Sequence, residues 1–416
     1  MEAETLSKGA VAPSASTGRT GGQATAPRIV ILGGGTGGTL LANRLRRAHG
    51  RREAGIAVVD RDDRRIYQPG QVPVAFGISQ PKDIVRSRWC QLRAGVDFHE
   101  TEIDHVDLEA DQVPLAGGDV LEYDALVVAT GARLAPGTTP GLSGPGWMEK
   151  VLAFYDLEGA AALSAALERF HKGRLVVGVV DMPIKMPIKC PVAPLELCLL
   201  ADWYFTERRV RDRIEITFLS PLPSLFAAPI ADASVERLFA HYRVGQETGF
   251  HTSEVDGANG RIVEVDGREV RFDLAVVVPP FRGAAYVGRS PGLGNERDFI
   301  EVDTKTLQSP AHPNVFAIGD TADLPTSNTG SVPHFRGRGR PQHPNAPRRR
   351  AARRLLRRAW HRLHRDGLPQ GDAARLQIHH PAPPRTVPGG CRPGRRHRRG
   401  AVLTDHARVT FGLRRG

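Results

Sequence analysis

The sequence predicts an α/β fold of two doubly wound domains, and three stretches predict it. The first is Arg28-Ile-Val-Ile-Leu, followed by Gly33-Gly-Gly35-Thr-Gly-Gly38 and a run with helical apolar spacing. Five residues rich in β-branched side chains read as a buried strand, and the glycines supply G-x-G-x-x-G at the turn into a helix. The second stretch is Gly55-Ile-Ala-Val-Val-Asp60, another buried strand that ends in a carboxylate. The third is Arg174-Leu-Val-Val-Gly-Val-Val180, after which helical and strand patterns again alternate.

Gly33, Gly35 and Gly38 let the backbone approach a pyrophosphate closely, and the free N–H groups and dipole of the helix start hold its negative charge. Asp60 stands about 20 residues further on, where a ribose hydroxyl needs an acceptor. A Gly-rich surface turn would leave Asp60 unexplained, so the pair of signals predicts a dinucleotide site.

The remaining elements follow in order. Residues 1–27 are rich in Ser, Thr, Gly, Ala and Pro without an apolar core, and read as a disordered leader and not a secretory signal. Ile66-Tyr-Gln-Pro-Gly70 is a turn, and residues 95–121 alternate as a small antiparallel meander would. Leu126-Val-Val-Ala-Thr130-Gly131 is a short buried strand ending in Thr and Gly. Residues 156–171 have helical periodicity with an acidic first turn, and residues 193–206 repeat Leu195, Leu199 and Trp203 every four positions. Residues 215–219 form a strand, 262–272 a hairpin turned at Asp266-Gly267, and 274–278 another strand. Asn314-Val-Phe-Ala-Ile-Gly319-Asp320 is a strand carrying an acid at its C-terminal end, where α/β sheets place ligands.

Composition narrows the classes. No run approaches the 18 or more apolar residues of a membrane span, and a cytoplasmic location is expected. Cys90, Cys190, Cys198 and Cys391 show no CxxC spacing, so neither a metal site nor a disulfide scaffold is expected. From Arg336 to Gly416 there are 22 Arg, no Lys and three acidic residues, so this tail carries +19 against +12 for the whole chain and residues 1–335 carry −7. The basic character belongs to the tail alone.

A flavoprotein reduced by NADH or NADPH needs a second glycine turn after the first strand of its second domain. Here that strand runs into Asp181-Met-Pro-Ile-Lys185-Met-Pro-Ile-Lys189-Cys190-Pro-Val-Ala-Pro-Leu-Glu196, which has no glycine and four prolines. Proline fixes φ and removes backbone donors, which opposes a pyrophosphate cradle. Cys190 stands there instead, beside Lys189 and just before a helix, and both neighbours favour the thiolate. A buried structural cysteine is the plainer alternative, and Lys185, Lys189 and Glu196 either tune Cys190 or merely solvate the loop.

With those residues in hand, the chain resembles the sulfide:quinone oxidoreductase family, within the pyridine nucleotide-disulfide oxidoreductase-like flavoproteins. The resemblance is carried by PIKCPVAPLE, LADWYFTER, RDRIEITFLSPL, FDLAVVVPP and VFAIGDTADLPTS, and runs from about Arg28 to Phe335. It implies two Rossmann-like, glutathione-reductase-like domains with FAD in the first. Gly33, Gly35, Gly38 and Asp60 would hold its pyrophosphate and ribose, Thr130 and Gly131 would contact it, and Gly319 and Asp320 would lie at its ribityl or flavin end. Cys190 would be the catalytic, sulfur-handling cysteine, passing two electrons from sulfide through the flavin to a membrane quinone. The expected organisation is a leader (1–27), an FAD domain (28–150), a second dinucleotide-type domain carrying the redox cysteine (151–290), a return to the FAD domain (291–335) and a tail (336–416). Two rivals remain, an NAD(P)H-dependent flavoprotein reductase or quinone dehydrogenase and a non-catalytic flavin- or nucleic-acid-binding protein; no nucleic acid is expected.

The sequence departs from the family in three ways. MPIK occurs twice in tandem, at 182–185 and 186–189. The partner that the family's cysteine needs is not evident. Cys198 lies eight positions on and reads as a small core hydrophobe, and Cys90 has no assignable place. Beyond Phe335 the resemblance stops, and the Arg-, Pro- and Gly-rich tail reads as disordered and out of frame. Slipping one nucleotide forward allows 336–340 to read EAEVV, 363–367 FIETG and 370–376 KATLLDF, strings like the family's own C-terminal segment. That segment supplies the family's peripheral contact with the inner membrane, so its loss predicts exposed apolar surface, early termination of a helix starting near Ser331 and weak FAD retention.

Overall fold

The computed structural model describes residues 26–180, 192–226, 229–324, 351, 352, 355 and 356. In chain order the first elements are β1 (Arg28–Leu32), α1 (Thr36–Ala48), β2 (Gly55–Asp60), β3 (Asp97–Glu100) and β4 (Ala125–Val128). Next come β5 (Val151–Leu152), α2 (Leu157–Arg169), β6 (Gly173–Val179), α3 (Val192–Glu207) and β7 (Ile214–Ser220). The series closes with α4 (Pro229–His241), β8 (Val244–Thr248), β9 (Leu274–Val278) and β10 (Val315–Ala317).

These strands make two five-stranded parallel sheets, ordered β10-β4-β1-β2-β3 and β5-β9-β6-β7-β8. Parallel strands covered on both faces need continuous apolar runs, and β4 (ALVV) and β9 (LAVVV) are buried at every position. The two sheets have equivalent orders. β1 lies between β4 and β2 as β6 lies between β9 and β7, so the connection from β6 to α3 corresponds to the glycine turn from β1 to α1.

Local chemistry explains the helix boundaries. Asp156 caps α2 by accepting from the Gly159 N–H at 2.6 Å. α3 is apolar nearly all round and is held from its C-terminal half by the buried Asp202–Arg211 pair at 2.6 Å. Arg211 also donates to the carbonyls of Ile214, Tyr242 and Arg243, which ties α3 to the start of β7 and the end of α4. The predicted hairpin is present, with Arg261–Glu264 antiparallel to Glu269–Arg271.

One expectation is refined. β3 joins the first sheet parallel to β2, so the antiparallel meander expected over 95–121 begins after it, with 102–107 against 112–116 and Gln112–Pro114 against Val120–Glu122. β3 alternates like a meander strand because it is an edge strand with one covered face. Within 336–416 the described residues 351, 352, 355 and 356 are helical. Ala352 and Leu356 are 0% and 2% exposed within the first core, and Leu355 packs against it. Their i, i+3, i+4 spacing makes one apolar helical face, which the Arg-rich composition around it obscures. The other expectations for the tail, including a helix near Ser331 and the change of frame, fall outside the described residues.

Candidate dinucleotide site

Four neighbouring strands of the first sheet bring the predicted residues to one edge. β10, β4 and β1 are each followed within three residues by a glycine with positive φ, namely Gly319 (+74°), Gly131 (+71°) and Gly33 (+98°), and β2 ends in Asp60. This is the carboxyl edge of the sheet, where the strand order reverses around β1 and ligands of open α/β sheets bind.

The three motif glycines have different reasons. A Cβ on Gly33 would stand 2.5 Å from the Ala129 carbonyl oxygen and 2.7 Å from the Thr130 nitrogen, so the β4 exit passes directly against the turn. A Cβ on Gly38 would meet the Gly33 carbonyl oxygen at 1.9 Å, so α1 packs on the turn only without a side chain. A Cβ on Gly35 would meet nothing within 4 Å, which leaves clear space beside the start of α1. The N-cap Gly35 supplies no side-chain cap and the first turn has no acidic residue, so the positive end of α1 is uncompensated. These features fit a diphosphate.

Asp60 is placed for its predicted role and is also engaged by the protein. Its Oδ2 accepts from the Gly34 N–H at 2.7 Å and lies 3.0 Å from an Arg88 amino nitrogen, while Oδ1 accepts from the Arg61 N–H at 2.9 Å. Burial raises the Asp60 carboxyl from its ordinary range, opposed first by Arg88 and then by the Gly34 hydrogen bond. Thr130 faces Tyr286, their hydroxyl oxygens 3.3 Å apart. Burial pushes the Tyr286 hydroxyl up, so it stays protonated and serves as a polar anchor.

Sequence reasoning missed Arg65, Arg88 and Tyr286. Arg88 donates to the Gly34 carbonyl at 3.1 Å, to the Asp62 carboxylate at 3.0 Å and to the Asp62 carbonyl. Arg65 donates to Gln91 Oε1 at 2.7 Å and reaches Thr36 Oγ1, at the first residue of α1, at 3.4 Å. No local motif marks any of the three; Arg65 and Arg88 reach the turn, and Tyr286 the β4 exit beside it, through the tertiary fold.

Cys190 lies outside the described residues, as do both MPIK copies. Its stretch is the connection between β6 and α3, the counterpart of the glycine turn in the second sheet. Glu196, in the second turn of α3, has its carboxyl pushed up to about 7 by burial. Cys198 is a free, fully buried thiol pushed upward by desolvation, as expected of a core hydrophobe, and Cys90 is disulfide-bonded. Among the described residues no group of three or more His, Cys, Asp or Glu side chains could hold a metal, and no helix is long and apolar enough to cross a membrane.

With this geometry, residues 27–179 match the family described as pyridine nucleotide-disulphide oxidoreductase, and the chain is an FAD-dependent oxidoreductase with the fold of that class. Within the class it is similar to the sulfide:quinone oxidoreductases. It is 26% identical to the mitochondrial sulfide:quinone oxidoreductase of Dictyostelium discoideum over 73% of this chain and 67% of that protein. The mitochondrial enzyme of Mus musculus matches equally, at 26% over 73% and 67%. The solved sulfide:quinone oxidoreductase of Aquifex aeolicus superposes with a TM-score of 0.66 at 19% identity, covering 82% of this chain and 77% of that one.

Proposed function

We propose that this flavoprotein oxidises sulfide and reduces a membrane quinone, with Cys190 as the residue that handles sulfur. The observation that carries the reading is the β6–α3 connection, which holds Cys190 and no glycine where a nicotinamide dinucleotide would need its cradle. Bound FAD accepts two electrons at one face and releases them at the other. Overall, hydrogen sulfide anion loses two electrons and one proton to become sulfane sulfur, and the quinone gains two electrons and two protons.

In this reading Gly33, Gly35 and Gly38 seat the diphosphate and Asp60 receives the adenosine ribose. Thr130, Gly131, Gly319 and Asp320 line the approach toward the ribityl and flavin, and Cys190 receives the sulfur. Glu196 follows Cys190 by six residues, and a carboxyl near neutrality is suited to exchange the proton released there. The proposed division of labour gives FAD to 28–150 and 291–335 and Cys190 to 151–290. Peripheral contact with the inner membrane belongs to the same proposal only for a chain whose C-terminal segment is read in the family's frame.

Anaerobic titration with sulfide, following flavin absorbance, tests the reading with Cys190→Ser alongside. Bleaching by sulfide that is lost in C190S is expected. Bleaching by NADH and not by sulfide would overturn it in favour of an NAD(P)H-dependent reductase.

A further inference from the structure

We infer that Arg65 is the side-chain ligand of the FAD diphosphate, completing a site that the glycine turn begins. The inference rests on FAD binding in the first domain and concerns a residue outside the G-x-G-x-x-G motif.

Two guanidinium groups flank the turn, and their partners differ. Arg88 is neutralised by Asp60 and Asp62, and two further donors are taken up by the Gly34 and Asp62 carbonyls. It holds the turn and aims Asp60, and four of its five donors are already engaged by the protein. Arg65 has no carboxylate partner among the described residues. Its two amino nitrogens meet only the neutral Gln91 and Thr36 oxygens, and its Nε is buried without any hydrogen-bond partner. Burial, and then the neighbouring Arg88, both act against its charge.

A half-buried cation in this state needs an anion, because an unpaired charge away from water is costly. The contact with Thr36 puts Arg65 at the N-terminus of α1, which is itself positive, uncapped by a side chain and free of acidic residues in its first turn. The clear space over Gly35 lies at the same helix start. A dianionic diphosphate is the ligand class that satisfies the guanidinium, the helix end and the open glycine together, by charge-assisted hydrogen bonds.

The test uses the full chain stripped of flavin, titrated with FAD and separately with ADP by calorimetry at low and high salt. Wild type is compared with Arg65→Gln and Arg65→Lys. Charge-assisted bonds of this kind predict that R65Q weakens FAD and ADP alike, by about 10- to 100-fold, and that R65K recovers most of the loss. R65Q should also flatten the salt dependence of ADP binding, which a merely structural role would not do. Unchanged affinity in R65Q, or a loss with the wild-type salt dependence that R65K fails to recover, would overturn the assignment. Should R65Q fail to fold, R65K decides alone: near-wild-type affinity with the wild-type salt dependence supports the assignment, and a loss as deep as 100-fold overturns it. A wild-type chain that takes up neither FAD nor ADP would overturn the FAD reading itself, a result distinct from either.

Discussion

Tyr286 and Thr130, 156 positions apart in the chain, bring their hydroxyl oxygens to 3.3 Å at the end of β4. Tyr286 lies in the short helix Ala285–Gly288, packed in the same core as β1, β4 and β10. The contact therefore pins the Thr130-Gly131 exit of the first sheet to a segment that follows β9, after the second sheet. Removing the tyrosine hydroxyl in Tyr286→Phe should cost about 1 kcal/mol, the net worth of one hydrogen bond. Urea unfolding checks the value, and an unchanged midpoint would show that the pair contributes nothing.

Gly35 and Gly38 belong to one motif and should respond oppositely to alanine. Gly38→Ala places a methyl 1.9 Å from the Gly33 carbonyl oxygen, and the helix must move off the turn. A loss of stability of about 3 kcal/mol or more is expected, from overpacking against backbone. Gly35→Ala meets no protein atom and Gly35 has an ordinary φ of −68°, so the fold should keep its melting temperature within a degree or two. Its FAD content after purification should nevertheless fall, because the methyl enters the space assigned to the diphosphate.

Glu196 makes stability depend on pH. Its carboxyl titrates near 7 in the folded chain because burial disfavours the charge, against about 4.5 when unfolded. A raised folded value means that the stabilisation is fully present below the unfolded value and is lost as pH rises through about 7. Glu196→Gln should flatten the slope of urea midpoint against pH between those limits. At pH 8 it should be more stable than wild type by about 2 kcal/mol, allowing for the part exposure of the group. Equal slopes for the two proteins would refute the assignment.

Cys198 should be inert in the native state. It is fully buried on α3 and its thiol is pushed upward by desolvation, so it should resist iodoacetamide until the chain unfolds. Cys198→Ala should be tolerated better than Cys198→Ser, which buries a hydroxyl at a further cost of about 1–2 kcal/mol. Mass spectrometry of alkylated peptides and thermal melts of the two variants read these outcomes. Rapid native labelling at Cys198 would contradict its burial.

The linear order of residues determined much of this protein. Continuous apolar runs specify buried parallel strands, and G-x-G-x-x-G followed by a strand ending in Asp60 specifies the turn and the acceptor, because these signals are local and periodic. The same holds for the helical, acid-led stretch 156–171, the 262–272 hairpin turned at Asp266-Gly267 and the lack of a second glycine turn before α3. Tertiary structure alone decided which partners converge on the turn. Arg65, Arg88 and Tyr286 come from three separate segments with no periodic or motif signal, and only sheet order brings their side chains to Thr36, Asp60 and Thr130. It also decided that β3 joins the parallel sheet and that Ala352 and Leu356 enter the first core, since burial against a distant surface outweighs what local composition suggests.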